Sequence, residues 1–320
     1  MFKFLKNHWP LLFVAFSVVF NLIMLFPETT IKMDLNDNVF AFVLINHIDK
    51  LLSEILHPPA GGPSSIFHLP LLLDHWVPEF SLGFPVFSYY QHFPHLFVVL
   101  LYRLISLITP ITLMIVFNWA KYFMLSFFPL AIYYSSRKFE LSKIPSIGAA
   151  LVSTLISTQY LYGTDYNALV FRGSGMFTQL WGIFFLPLAL SSIYDSLKFN
   201  RGYLKSVILL VLTLNGHLVF GFIALLSTPL LLLSLVLSRW NLNAKLLRFH
   251  LIQLSKRLFL ILTSSFLLLS YWFIPLILNS NYQNWQDPFL PTYFFPYSLS
   301  FGLSSISAAI LLALFLIYYR

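Results

Sequence analysis

Two carboxylates stand close together after the first long apolar run of this 320-residue sequence. Asp34 and Asp37 are three positions apart, a spacing that can put both side chains on one face of a turn. With water, the pair could hold a hard cation, because such ions prefer oxygen ligands. Asp37 could equally be a carboxylate at a helix start, where the helix dipole favours negative charge without any catalysis.

A string dense in aromatic rings follows at 82–95, and its polar groups include those of Tyr89, Tyr90, Gln91, His92 and His95. Aromatic rings stack on the faces of sugars, which would make this string part of a carbohydrate site. Aromatic residues also gather at membrane–water interfaces. Both interpretations stay open from the sequence.

Several basic residues lie in or near apolar segments, where a charge is unfavourable unless it has a partner or reaches water. Arg172 could bind an anion through a bidentate fork, or it could extend its charge to the membrane surface. His217 interrupts an apolar run, and an ionisable group at membrane depth suggests function, although a hydrogen-bonded packing histidine is an equal alternative. Lys121 and Arg103 also lie in apolar segments, where each could bind phosphate or reach an interface.

The composition is that of a membrane protein. Hydrophobic residues make up 58% of the chain and charged residues 9%, against about 25% charged in soluble domains. The chain has a net charge of +8, and its charged residues cluster between the apolar stretches. This placement favours a lipid bilayer as partner and argues against nucleic acid. The chain has no cysteine, so disulfides and thiolate metal sites are excluded.

We predict an all-α, polytopic transmembrane helical bundle of about eight or nine membrane segments, forming a single domain over residues 1–320. The apolar run that ends at Arg320 is compatible with the N-terminal part of a longer protein. The predicted spans are 9–26, 111–135, 146–162, 176–194, 206–220, 221–238, 258–278 and 301–319. The first would be a retained signal anchor. Segment 93–109 is ambiguous.

The distribution of basic residues predicts the orientation. If 93–109 is interfacial or re-entrant and the N-terminus is cytoplasmic, most lysines and arginines lie inside. Only Lys32, Lys50 and Arg172 then lie outside. We therefore predict a multi-pass protein, integral in the cell membrane, with both ends cytoplasmic. Asp165 and Asp287 fall in later outer loops and could complete an outer site.

The first outer loop, 27–92, carries most of this chemistry. Residues 36–56 have apolar side chains at steps of three and four, which predicts an amphipathic helix along the membrane surface. Asn36 is its expected N-cap and Asp37 would lie in its first turn. A run of prolines and glycines at 58–63 ends the helix.

Five short motifs carry a family resemblance: Met33-Asp34-Leu35-Asn36-Asp37, the Gly-Phe-Pro…Tyr-Tyr-Gln…Pro-His string, Arg172-Gly173, Gly216-His217 and Tyr271-Trp272-Phe273-Ile274-Pro275. Together they resemble membrane proteins labelled "6-pyruvoyl-tetrahydropterin synthase-related", which are similar in layout to the GT-C superfamily of glycosyltransferases. The pterin part of that label implies a histidine-bound zinc in a soluble fold, and the histidines here are too scattered for it.

The resemblance implies transfer of a hexose or pentose from a polyprenyl-phosphate donor to a glycan, lipid or protein acceptor at the outer face. It implies Asp37 as the base that takes the acceptor proton, with Asp34 beside it. The implied substrate-binding residues are Tyr89, Tyr90, Gln91, His92, Asp165, Arg172 and His217, with Arg172 on the phosphate. No cofactor is implied for a monophosphate donor, although a divalent metal on the two carboxylates stays an alternative.

Two other functions compete with an enzyme. A transporter or lipid flippase would need charged residues deep in several spans, and Lys121, Arg103 and the Gly216-His217 break are the features that favour it. A noncatalytic membrane scaffold is the third possibility. The chain has no Walker-A loop, nucleophile elbow or dinucleotide fingerprint, so ATP hydrolysis, serine hydrolysis and dinucleotide binding lack a motif.

Overall fold

The computed structural model describes residues 2–32, 36–56, 76–78, 83–153, 169–170, 173–239 and 243–279, with side chains from Trp9 onward. Over these residues the chain is helical apart from its turns and one isolated bridge between Val77 and Phe84. Asp34, Asp165, Arg172, Asp287 and the predicted span 301–319 lie outside the described part.

Ten α-helices and one 3₁₀-helix occur within this described part. They are α1 (Phe2–Met24), the 3₁₀-helix (Phe26–Thr30), α2 (Asn38–Leu56), α3 (Val86–Tyr89), α4 (Phe93–Ser106), α5 (Leu113–Lys138), α6 (Lys143–Val152), α7 (Phe177–Phe199), α8 (Tyr203–Gly216), α9 (Leu218–Leu237) and α10 (Ala244–Leu278).

Four helices, α5, α7, α9 and α10, are long and apolar enough to cross a membrane. That is the pattern of an integral membrane protein. The apolar parts of α1, α4, α6 and α8 are shorter. Helix α4 has 14 residues, or about 21 Å at 1.5 Å per residue, which is less than the thickness of a hydrocarbon core.

Two larger apolar clusters and a smaller one, around Leu125 and Leu180, hold the described helices together. The first joins α2, α3, α4 and α5 to the first turns of α7, with Phe87 and Phe117 fully buried in it. The second joins the last turns of α7 to α8, α9 and α10, around Leu210 and Ile261. Helix α7 therefore contributes to both of the larger clusters and connects the two ends of the bundle.

Helix α2 matches the predicted amphipathic helix, but it begins later than expected. Asn36 accepts a hydrogen bond from the backbone N–H of Asn38 at 3.1 Å, so Asp37 precedes the helix and does not enter its first turn. The helix packs on α4, where the Arg103 guanidinium donates to the Asp49 carboxylate at 2.6 Å and to the Asp49 carbonyl at 2.7 Å.

The apolar run 206–238 breaks at His217, three residues before the predicted boundary at 220/221. His217 is extended and separates α8 from α9. A Cβ on Gly182 of α7 would lie 2.7 Å from the His217 Cβ, and one on Gly216 would lie 3.2 Å from the Gly182 nitrogen. The break is fixed by this close approach of two glycines, which is a tertiary contact.

Candidate functional site

A cavity of ≈ 490 Å³ opens where α2, α3, α7 and the α8–α9 break meet. Its lining residues are Asp37, Phe40, Ala41, Phe84, Val86, Tyr89, Tyr90, Met176, Phe177, Thr178, Gln179 and His217. The volume falls in the range of about 300–1,000 Å³ that is usual for small-molecule sites. We call this part of the bundle the Asp37 end.

Asp37 is held at the cavity by a joint between two distant loops. Its backbone N–H donates to the Ser174 carbonyl at 3.2 Å, and the neighbouring Asn36 amide donates to the Gly173 carbonyl at 3.1 Å. Asp37 itself is exposed. The backbone is therefore fixed while the carboxylate stays accessible to a ligand.

The joint requires a glycine at position 175. Gly175 has φ +67°, and a Cβ there would lie 2.1 Å from the Asn36 side-chain oxygen. Any side chain would therefore both strain the backbone and push away the loop that carries Asp37.

Tyr90 provides a neutral hydroxyl beside the carboxylate. Its oxygen lies 2.9 Å from the Thr178 hydroxyl, and its ring packs edge-on against Phe40 at 5.4 Å. Burial and, to a lesser degree, the negative charge of Asp37 raise the pKa of Tyr90, so the phenol stays protonated at neutral pH. Tyr89 stacks on Phe84 at 5.2 Å.

The first turn of α7 forms another part of the cavity wall. Phe177, Thr178 and Gln179 are its first three residues. The start of a helix has backbone N–H groups without helical partners and a partial positive charge. Negative charge in the cavity is therefore favoured by this wall.

Two buried polar atoms at the cavity have no hydrogen-bond partner among the described residues. They are the Gln179 side-chain oxygen and the His217 Nδ1. Buried polar atoms are nearly always hydrogen-bonded, so a small shift that opens either atom to the cavity would let a hydroxyl group of a ligand bond to it.

The structure brings Asp37, Tyr89, Tyr90 and His217 together, but it places His92 in a neighbouring cluster. The His92 Nε2 lies 2.6 Å from the Tyr271 hydroxyl of α10 and 3.3 Å from the Asn215 amide nitrogen. Asn215 also accepts from the Phe93 N–H at 3.2 Å. This cluster ties α4, α8 and α10 together immediately before the His217 break.

Gln91 and His95 are also buried and are not among the cavity-lining residues. His95 is fully buried among the rings of Phe87, Tyr90 and Phe177, at centroid distances of 5.6 to 5.9 Å. It supports the ring of Tyr90 from behind.

The two cationic alternatives lie elsewhere in the described structure. Arg103 is paired with Asp49. Lys121 is fully buried on α5, with its ammonium 4.3 Å from the centroid of the Phe117 ring. Neither residue is among those that line the cavity.

No group of three or more histidine or carboxylate ligands that could hold a metal occurs within the described ranges. Asp37 lies inside those ranges and Asp34 does not. The structure therefore describes only one of the two carboxylates on which the divalent-metal alternative depends.

Three polar residues were not predicted as site residues: Thr178 and Gln179, which line the cavity, and Asn215, which belongs to the neighbouring His92 cluster. Thr178 and Gln179 are the polar positions at the start of an apolar span, and Asn215 stands in the apolar run beside His217. Polar groups in membrane segments are rare and often functional, which is the signal that could have identified them.

Comparison with known proteins adds no relative: no family model, curated protein or solved structure matches this chain.

Proposed function

We propose that this protein is a GT-C-like glycosyltransferase that moves a sugar from a polyprenyl-phosphate carrier to a glycan, lipid or protein acceptor. The observation that supports it is the cavity at the Asp37 end. There an accessible carboxylate faces aromatic rings, hydroxyl groups and two buried polar atoms that have no hydrogen-bond partner in the described part of the chain. This combination suits a ligand with many hydroxyl groups and an apolar ring face.

In the proposed reaction Asp37 is the base. The acceptor oxygen attacks the anomeric carbon of the sugar, and the bond from that carbon to the phosphate oxygen breaks. The acceptor proton passes to the Asp37 carboxylate, and polyprenyl phosphate leaves with the bonding electrons. A fixed backbone and an exposed carboxylate suit this role, because a base must be positioned and must also reach its proton.

The departing phosphate needs positive charge. The first turn of α7 offers its helix dipole, and we propose Arg172 as the charged partner. Gly173 follows Arg172 in the chain and is bonded to Asn36, beside Asp37. Asp34 and Asp165 are proposed to complete the site.

The topology belongs to the same proposal. We propose eight spans, with the Asp37 end at the outer face of the cell membrane and both termini in the cytoplasm. The four long apolar helices and the shorter ones support a bundle of this kind. Helix α2 would then lie along the outer surface, and α4 would be interfacial or re-entrant.

The test is transfer of label from radiolabelled polyprenyl-phosphate sugars in reconstituted vesicles. We expect Asp37→Asn to abolish transfer, because an amide cannot accept the proton. Glu54→Gln is the matched control, since Glu54 is an exposed carboxylate near the far end of α2, the helix that Asp37 precedes, and should keep full activity.

A fully active Asp37→Asn protein would remove Asp37 from catalysis. Transfer by neither the natural sequence nor the control, across the whole donor panel, would contradict the enzyme proposal and favour a transporter or a scaffold.

A further inference from the structure

A second cavity, of ≈ 360 Å³, lies at the far end of α7. Its lining residues are Tyr134, Arg137, Lys138, Glu140, Asp195, Phe199 and Arg201. Thr178 and Phe199 are separated by about 30 Å along the helix, which is the thickness of a hydrocarbon core. We call this the Asp195 end. If α7 spans the bilayer, the two cavities open at opposite faces.

The Asp195 end has an excess of positive charge. Asp195 accepts from Lys138 at 3.1 Å and from Arg201 at 3.2 and 3.1 Å. One carboxylate therefore balances two cations.

The other cations at this end leave the excess in place. Lys198 pairs with Glu140, which cancels one charge. Lys205 instead donates to the Tyr134 hydroxyl at 2.7 Å, and Arg137 donates to the Leu141 carbonyl. Neither contact neutralises its cation.

Several N–H donors at the cavity have no hydrogen-bond partner among the residues that the structure describes. A guanidinium has five N–H donors and an ammonium three. Asp195 takes two of the donors of Arg201 and one of those of Lys138. The remaining donors, with those of Arg137, can bind the oxygens of a phosphate group that enters the cavity.

An apolar stripe leads away from the cavity along α5. Phe123, Phe127, Leu130 and Tyr134 recur at helical spacing and are all exposed, at 43%, 38%, 45% and 36%. Tyr134 belongs both to this stripe and to the cavity wall. A charged recess that continues into an apolar stripe on a membrane helix matches an amphiphile with an anionic head and an alkyl tail.

We propose that the Asp195 end binds an anionic phospholipid, with its phosphodiester in the cavity and an acyl chain along the stripe on α5. Basic pockets between membrane helices bind such headgroups. The lipid is a structural or regulatory ligand, distinct from any sugar donor, because its site lies across the membrane from Asp37. The inference does not depend on glycosyl transfer.

The experiment measures lipid retention by native mass spectrometry. The full chain is reconstituted in nanodiscs of phosphatidylcholine, with or without phosphatidylglycerol, and released into neutral detergent. Arg137→Gln is the main variant, because Arg137 is exposed and its loss leaves both Asp195 ion pairs intact. We expect retained phosphatidylglycerol to fall about fivefold, the effect of one basic residue near an anionic surface.

Two controls make the result specific. Arg137→Lys keeps the charge and should retain the lipid. Lys245→Gln removes an exposed cation from the start of α10, outside the cavity, and should also retain it.

Three outcomes would overturn the proposal. The first is equal retention by Arg137→Gln and the natural sequence. The second is an equal loss in Lys245→Gln, which would indicate general surface charge. The third is a thermal stabilisation by inorganic phosphate in phosphatidylcholine nanodiscs that matches the one by phosphatidylglycerol, which would make the ligand a free anion.

Discussion

Tyr90 is the residue whose position says most about the cavity at the Asp37 end. Its hydroxyl bonds Thr178, its ring contacts Phe40 and His95, and it lies in the field of Asp37. One side chain thus combines a neutral donor with an aromatic face. These are the two features that a sugar-binding wall needs.

We expect Tyr90→Phe to lower glycosyl transfer by about tenfold, because one hydrogen bond of about 1–1.5 kcal/mol is lost while the ring contacts remain. Tyr203→Phe is the matched control. It removes a hydroxyl that donates to the Leu260 carbonyl at 2.7 Å, far along α8 from the cavity. The measurements are transfer assays and thermal midpoints on both proteins. Full activity in Tyr90→Phe would show that this hydroxyl does not bind the substrate.

His92 predicts a pH dependence of stability. Burial lowers its pKa from 6.5 to about 4, so between these values the unfolded chain binds a proton that the folded chain does not. The contribution of neutral His92 to the free energy of unfolding is fully present above pH 6.5. It is lost as pH falls toward 4, by up to about 3 kcal/mol.

The measurement is thermal unfolding in detergent across this pH range. We expect the midpoint to fall with pH in the natural sequence and to fall less in His92→Gln, which cannot titrate but can still bond Tyr271. Identical slopes in the two proteins would contradict the assignment.

At the scale of elements, the loop joint is the feature that positions Asp37. The 36–38 and 173–175 loops are joined by a hydrogen bond between their backbones and by another from the Asn36 side chain. Gly175 is the residue that permits this approach.

We expect Gly175→Ala to abolish transfer and to lower the thermal midpoint, because its Cβ would overlap Asn36 and its φ is positive. Gly148→Ala in α6 is the control, since a Cβ there meets nothing within 4 Å and alanine favours a helix over glycine by about 1 kcal/mol. That variant should be as stable as the natural protein or more so. A functional Gly175→Ala protein would show that the joint is not needed.

The elements differ in how far the sequence predicts them. Helix α2 follows from a local spacing of apolar residues, and the structure contains it as Asn38–Leu56. The joint has no local signal, because Gly173 and Ser174 contribute only backbone carbonyls to a partner 137 residues away. The helix break was expected near His217 from its polar residues, but its position depends on Gly182, which the sequence does not connect to it.

The residues of the candidate site also differ in how far the sequence predicts their position. Tyr89, Tyr90, Gln91 and His92 are consecutive polar and aromatic residues that look alike in sequence. The short helix α3 and the turn after it send Tyr89 and Tyr90 to the cavity and bury Gln91 and His92. His92 is held away from the cavity by its contacts with Asn215 and Tyr271, and such contacts between distant residues cannot be seen in the local sequence.

At the scale of the molecule, the two cavities lie at opposite ends of α7, and the chain offers a direct way to locate them. It contains no cysteine, so single cysteines can be introduced without a background. Ser174 lies at the Asp37 end, and the exposed Lys143 begins α6 after the turn that follows α5 at the Asp195 end.

We expect Ser174→Cys in intact cells to react with a membrane-impermeant maleimide. Lys143→Cys should react only after permeabilisation. Both variants should be labelled fully in detergent, which controls for burial. The reverse pattern would invert the proposed orientation, and labelling of both from one side would contradict the placement of the cavities at opposite faces.

The length of helix α7 can also be compared with the thickness of the bilayer. Its 23 residues measure about 35 Å, and each end has a polar recess that needs water or headgroups around it. In a bilayer much thicker than usual, one recess would be drawn into hydrocarbon, and hydrophobic mismatch would have to tilt the helix or thin the lipid around it. We therefore expect thermal stability to pass through a maximum as the acyl chains of the reconstituting lipid are lengthened. A monotonic dependence would show that α7 does not set the thickness this protein prefers.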